Sequence, residues 1–179
     1  MPRDTLRQRL IERYSVTISW QLPESWRARG LLADAARLTL ASEGVRAAQL
    51  SIAVVDAPAM SRLHRRYCGV AGPTDVLTFD LSGESAEESE MLEGEVVVCA
   101  EVARREALRR LGRAARTQWL PMGRAELALY VVHGILHLCG YDDHRPADFQ
   151  AMHAREDEIL QYLGLGSVFA AGAGKPARL

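Results

Sequence analysis

The chain has 179 residues, of which 48% are hydrophobic and 25% charged, a balance typical of a globular protein with an ordinary apolar core. Its formal net charge of -1 gives no overall attraction to nucleic acid or to an anionic membrane, so any such attraction must come from local patches. No run of about 18 apolar residues and no secretory core segment is present, and the three scattered cysteines form no CxxC pair, which predicts a cytoplasmic protein with free thiols.

The first part of the chain predicts alternating strands and helices. Residues 1–14 are compatible with either a polar helix or a loose segment. Period-two alternation and β-branched runs predict strands around Val16–Trp20, Leu50–Val55, Val76–Leu81 and Glu95–Ala100, with helices over Ser25–Ser42 and Ala57–Tyr67. An acidic segment without apolar periodicity, SGESAEESEMLEG, predicts an exposed loop before the fourth strand.

Three further helices are predicted over Ala100–Thr117, Ala125–Cys139 and Pro146–Leu163. These elements predict an α+β fold, a small mixed four-stranded β-sheet flanked by about five helices. We expect one domain over residues 1–163 and a flexible, low-complexity tail over residues 164–179.

The most informative run is HGILHLCGYDDH, residues 133–144. His133 and His137 are four residues apart, so on a helix both side chains project from one face, one turn apart. Two imidazoles in that placement are a common way to supply two zinc ligands. Gly140 favours a tight left-handed end to the helix, which would bring the following residues back towards the metal.

The residues around this histidine pair argue for a metal and against a protease. The flanking positions are mostly Leu, Val and Ile, so the helix is predicted to be buried, and unpaired buried polar groups cost about 1–3 kcal/mol each. One cation would satisfy both rings. Zinc proteases of the HExxH type place a glutamate base directly after the first histidine, where this chain has Gly134.

Three blocks of sequence resemble one known family. HGILHLCGYD at 133–142 is similar to the pattern HGxLHLxGYDH, LHRRYCGVAGPTDVLTFD at 63–80 to LNxxYRGxxxPTDVLSFP, and GEVVVCAEVA at 94–103 to GDIVIS followed by a helix. These patterns and their order are those of the bacterial YbeY-type endoribonucleases, also called rRNA maturation factors. The resemblance implies one zinc ion, single-strand-specific RNA hydrolysis, and roles in 16S rRNA 3′-end maturation and ribosome quality control.

The same resemblance implies that His133 and His137 are metal ligands that act in catalysis through a metal-bound water. It implies single-stranded RNA, ribosomal RNA and the small ribosomal subunit as partners, with no membrane and no DNA. The third ligand stays open. The family has a histidine six residues after the second, and here that position is Asp143, with His144 one residue further on. An ungapped match of the following helix favours Asp143, whereas ligand chemistry favours His144 as the alternative.

A second departure concerns the RNA contacts. Cys68 occupies the position where the family commonly has an arginine, and a thiol supplies no fixed charge. Neighbouring Arg65 and Arg66 are candidates to compensate in RNA binding, or are equally solvated helix residues. Arg105, Arg109 and Arg113 recur at helical spacing after the fourth strand and are further RNA-binding candidates, although a solvated helix face is the favoured interpretation of that stripe. The loss of this arginine also keeps an alternative function open, a ribosome-associated assembly factor with structural zinc and little catalysis.

Three residues are candidates to orient the metal ligands by contacting them on the side away from the metal. Glu126 and Tyr130 share a helical stripe with His133 and His137, so either can orient a ligand, or both can simply face a neighbouring helix. Asp142 can orient a ligand or serve as an ordinary turn residue.

Overall fold

The structure is a computed structural model that describes residues 3–22, 28–83, 91–111 and 119–166. Its helices are α1 (Arg3–Arg13), α2 (Arg29–Ser42), α3 (Ala57–Cys68), α4 (Ala100–Leu111), α5 (Trp119–Leu138) and α6 (Pro146–Tyr162). Its strands are β1 (Tyr14–Trp20), β2 (Ala47–Val55), β3 (Val76–Asp80) and β4 (Met91–Cys99). No helix within these residues is both long enough and apolar enough to cross a membrane.

The four strands form one mixed sheet in the order β1-β2-β4-β3. β1 and β2 are parallel, as are β2 and β4, while β3 runs antiparallel to β4 at the edge. The predicted α+β fold with a mixed four-stranded sheet is therefore confirmed, with six helices in the described part of the chain.

Helix α5 packs closely against β3 and β4 and carries the histidine pair. A side chain at Gly134 would place its Cβ 2.8 Å from both Thr78 Oγ1 and Val96 Cγ1, so α5 approaches the sheet at van der Waals distance here. Thr78 and Val96 are register partners on neighbouring strands. The residue that follows His133 thus fixes the height of the histidine pair above the sheet.

Several element boundaries differ from the predicted ones. Helix α5 includes Trp119, six residues before the predicted start at Ala125, and Pro121 is tolerated near its N-terminal end, where no intrahelical N–H bond is required. Strand β4 begins at Met91 rather than at Glu95 and pairs along its whole length with β2. Helix α2 begins at Arg29, after Ala28, rather than at Ser25. The predicted helix end at Thr117, most of the acidic loop and the tail beyond residue 166 lie outside the described residues.

Helix α3 positions the loop that precedes β3. The Asp56 side chain accepts a hydrogen bond from the Ala59 N–H at 2.7 Å and caps its start, and Gly69, with φ 73°, closes its end. Buried His64 then donates from Nδ1 to the Gly72 carbonyl at 2.9 Å. This anchor leads the chain to Asp75, directly before β3.

Candidate metal centre

The last turns of α5 bring the two predicted histidines together. The Nε2 atoms of His133 and His137 lie 3.0 Å apart, with the rings nearly perpendicular at 85°. The helix around them is buried, as its apolar flanks predict. One face of α5 therefore presents two ring nitrogens to a single point.

The other nitrogen of each ring already has an acceptor. His133 Nδ1 lies 2.7 Å from Oε1 of Glu156 on α6, and His137 Nδ1 lies 3.0 Å from the carbonyl oxygen of Tyr141. Both acceptors require the proton to be on Nδ1, so in the neutral rings both Nε2 atoms carry lone pairs. Two lone pairs that face each other at 3.0 Å need a proton or a cation between them.

A glycine turn after α5 supplies the third group. Gly140 has φ 91° and donates to the His137 carbonyl at 3.0 Å, while Tyr141 donates to the Leu136 carbonyl at 3.0 Å, the pattern of a Schellman ending. The predicted left-handed turn at Gly140 is thus confirmed. It folds the chain back and carries Asp143 towards the histidines.

The two candidates for the third ligand have different surroundings. Single ligand atoms of His133, His137 and Asp143 all lie within 4.8 Å of one another. The side chain of His144 is 85% exposed, and its Nδ1 contacts the Asp142 carboxylate instead. Asp143 therefore joins the histidines, and His144 points to solvent.

These donors fit a zinc ion by their chemistry. Imidazole nitrogen and carboxylate oxygen are both ordinary zinc ligands, and three protein ligands are the usual number at a catalytic site. Two Zn–N bonds of about 2.0–2.1 Å at a tetrahedral angle would separate the nitrogens by roughly 3.3 Å, close to the 3.0 Å seen between the Nε2 atoms.

The surrounding charges favour a cation. Burial lowers the pKa of His133, but the hydrogen bond and charge of Glu156, with smaller contributions from Asp75 and Asp143, raise it on balance. Burial likewise raises the pKa of Glu156, but hydrogen bonds from His133 and His153 outweigh it and the net shift is downward. An ionised carboxylate at this depth is the usual partner of a metal-ligating histidine.

Of the three residues predicted as candidates to support the ligands, Glu126 and Asp142 contact groups other than the two histidines of α5. Glu126 is buried and pairs with Arg110 of α4, with Oε1 and Nε 2.6 Å apart, so it links two helices rather than orienting a histidine. Tyr130 is also buried, and burial raises the pKa of its hydroxyl. Asp142 accepts a hydrogen bond from the His144 N–H at 3.1 Å, the turn role weighed for it.

The supporting residues that sequence reasoning missed lie on α6. Glu156 contacts both His133 and His153, with His153 Nδ1 2.5 Å from Glu156 Oε2. The crowding of four of the five histidines into residues 133–153 was a signal for His153. No local pattern links Glu156 to a histidine 23 residues earlier, because the contact arises only from helix packing.

The structure also gives a physical reason against a protease. A glutamate base at position 134 would need a side chain where even a Cβ atom meets Thr78 and Val96 at 2.8 Å. The position next to His133 faces the sheet rather than the group formed by His133, His137 and Asp143. A base of the HExxH type cannot be accommodated there.

The candidate RNA-binding arginines lie on two helices. Arg65 and Arg66 are exposed in the last turn of α3, beside exposed Cys68. Arg105 and Arg109 are exposed on α4, where Arg109 Nε donates to Glu106 Oε2 at 2.7 Å. Arg113 lies outside the described residues.

Comparison with known proteins gives a consistent family. The chain is 34% identical over 163 residues to an endoribonuclease YbeY of Desulfitobacterium hafniense, which covers 83% of this chain and 96% of that protein. It is 36% identical over 122 residues to the endoribonuclease YbeY of Mycolicibacterium gilvum, 64% of each chain. A solution structure of a Thermotoga maritima protein has the same fold, with a TM-score of 0.54 and 23% identity over 90% of this chain and 99% of that one. Residues 20–164 match the family model described as endoribonuclease YbeY, so the chain belongs to the YbeY family.

Proposed function

We propose that this chain is a zinc-dependent endoribonuclease that cleaves single-stranded RNA. The observation that carries the proposal is the convergence of His133, His137 and Asp143, with both Nδ1 atoms already satisfied and both Nε2 atoms facing each other. Membership of the YbeY family supplies the reaction class, because its curated relatives are named endoribonucleases.

The protein residues have distinct tasks in this proposal. His133 and His137 present Nε2 to the metal, and Asp143 contributes a carboxylate that offsets part of the positive charge. Glu156 and the Tyr141 carbonyl hold the proton of each imidazole on Nδ1. When bound, zinc acts as a Lewis acid on the phosphodiester and lowers the pKa of water towards about 7.

A network from α2 and α6 holds the turn that carries these groups. The Tyr141 hydroxyl donates to Glu43 Oε2 at 3.0 Å, and Arg155 Nε donates to Glu43 Oε1 at 2.7 Å. Tyr141 is thus fixed at both its carbonyl and its hydroxyl. We infer that this anchoring keeps Asp143 at a constant distance from the histidines.

RNA is held, in our proposal, by exposed arginines. Arg65 and Arg66 at the end of α3 precede the loop that leads to Asp75, whose charge acts on His133. Exposed Arg105 and Arg109 on α4 are a second pair of candidates, with their charge offset in part by Glu106, which both contact. Arginine contacts to phosphates would make binding depend strongly on salt, although the chain as a whole is nearly neutral.

The biological setting is also a proposal. We infer that the substrate is ribosomal RNA on the small ribosomal subunit, in 16S rRNA 3′-end maturation and ribosome quality control, and that the protein acts in the cytoplasm. The family relationship supports this setting. We further infer that residues 1–163 act as one domain.

Cleavage of a defined RNA tests the proposed activity. The purified chain is incubated with a single-stranded RNA and with the same sequence as a duplex, with chelator and after zinc is restored. We expect cleavage of the single strand only, its loss with chelator and its return with zinc. His133→Ala should be inactive, and Gln150→Ala, at an exposed position on α6, is the matched control. Equal cleavage by His133→Ala would contradict the assignment.

One observation favours a second candidate function. Cys68, at the family's usual arginine position, is exposed beside Arg65 and Arg66 and offers no positive charge. An assembly factor with structural zinc would bind metal and small ribosomal subunits yet leave every RNA intact in the assay above. Zinc-loaded protein that binds subunits without cleaving would establish this alternative.

A further inference from the structure

We propose that His153 is a positioning residue for the metal centre: it holds the second oxygen of Glu156 so that the first oxygen orients His133. The inference rests on the proposed metal site. It concerns a residue on α6 that lies outside the three converging ligand groups.

The starting point is the complete burial of Glu156. Its side chain has no solvent exposure, so bulk water does not solvate its carboxylate. A buried carboxylate is tolerated only when its oxygens are paired and hydrogen-bonded. Oε1 is taken by His133 Nδ1 at 2.7 Å, and Oε2 by His153 Nδ1 at 2.5 Å. Each oxygen thus has an imidazole as its partner.

This arrangement locks the carboxylate in one rotation. Two donors on opposite oxygens define the plane of the Glu156 carboxylate, whereas one donor would leave it free to turn. The His153 ring is itself held, because it is 11% exposed and packs edge-on against Phe149 at 4.1 Å between ring centroids. Phe149 therefore restricts the His153 ring, His153 restricts the Glu156 carboxylate, and that carboxylate in turn restricts His133.

This series of contacts favours metal binding because it orients the ligand His133 before the metal binds. His133 must keep its proton on Nδ1 and point Nε2 towards the metal position. Both conditions depend on the position of Glu156 Oε1. The rings of His133 and His153 lie nearly parallel, 23° apart with centroids 6.2 Å apart, and each contacts a different oxygen of Glu156. In this proposal His153 acts on His133 through Glu156.

Two variants of His153 test the proposal in the full-length chain. His153→Ala removes the donor to Oε2, whereas His153→Asn keeps an amide N–H at about the position of Nδ1. Gln150→Ala, on the exposed side of the same helix, is the control. The zinc dissociation constant is measured by competition with a chromogenic chelator, and the proton on His133 Nδ1 is followed by long-range proton–nitrogen NMR. Circular dichroism confirms that each variant is folded.

We expect zinc affinity to fall about tenfold in His153→Ala, at the lower end of the roughly 10- to 100-fold range for outer partners of a ligand. The His133 Nδ1–H signal should weaken in the same variant, and both readouts should recover in His153→Asn. Wild-type affinity in folded His153→Ala would overturn the proposal, as would equal losses in the Ala and Asn variants. Neither measurement uses RNA, so the result is independent of whether the chain cleaves it.

Discussion

At the residue scale, the groups behind the two histidines matter as much as the histidines themselves. The HxxxH spacing predicts a shared face, which is seen, but it does not predict the tautomer of each ring. That is decided by Glu156 and by the Tyr141 carbonyl, one from another helix and one from the following turn. Only the second lies close enough in sequence for a local motif to suggest it.

The choice between Asp143 and His144 is a prediction at this scale. Asp143→Ala should lower zinc affinity by at least about tenfold, because it removes a carboxylate from the cluster. His144→Ala should leave it nearly unchanged, since that side chain is 85% exposed and contacts Asp142. Isothermal titration of both variants with zinc gives the comparison, and a larger loss in His144→Ala would reverse the assignment.

At the element scale, α5 determines the position of the candidate metal site. Its length, its buried surroundings and its glycine ending follow from apolar residues and Gly140, and each was predictable from sequence. The extension of α5 before Ala125 was not predictable, because Pro121 and Gly123 usually interrupt a helix. Pro121 is compatible with this helix because it lies near the N-terminal end. The contacts of α6 with α5 were also beyond sequence patterns, since they depend on tertiary packing.

The close approach of α5 to the sheet gives a stability prediction. Gly134→Ala should destabilise the fold by about 1–3 kcal/mol, because its Cβ would lie 2.8 Å from Thr78 and Val96 on stiff, β-branched side chains. Gly30→Ala is the matched control, since it lies in α2 with nothing within 4 Å of an added Cβ. That variant should be neutral or stabilised by up to about 1 kcal/mol.

Urea unfolding followed by circular dichroism measures the free energy of unfolding of both glycine variants. A Gly134→Ala variant at least as stable as the wild type would show that α5 can move away from the sheet. In that case the height of the histidine pair would not be set by this glycine.

At the scale of the whole molecule, charge is nearly balanced, with 22 basic and 23 acidic residues. Function therefore depends on where charges lie rather than on their sum. One buried pair, Glu126 with Arg110, joins α5 to α4. Burial nevertheless outweighs the attraction of Arg110 and raises the pKa of Glu126 to about 7.

The raised pKa predicts a pH dependence of stability. The folded state holds the Glu126 proton more tightly than the unfolded chain, whose glutamate pKa is about 4.3. Protonated Glu126 therefore adds to the free energy of unfolding, and this stabilising contribution is fully present below about pH 4 and is lost as pH rises through about 7. Glu126→Gln should remove this dependence, so the free energy of unfolding of the wild type relative to the variant should fall by roughly 2–3 kcal/mol between pH 5 and pH 8.

Urea titrations of both proteins across this pH range measure that difference. A constant offset between wild type and Glu126→Gln would mean that Arg110 keeps Glu126 ionised throughout. The pair would then act as an ordinary buried salt bridge.

The metal content of the purified protein tests the central claim most directly. Protein prepared without chelators is analysed by inductively coupled plasma mass spectrometry, together with His137→Ala, which removes one of the two facing Nε2 atoms. We predict about one zinc ion per chain in the wild type and a nearly metal-free variant that remains folded. A wild type without any transition metal, or a His137→Ala variant that retains the same amount, would contradict the account.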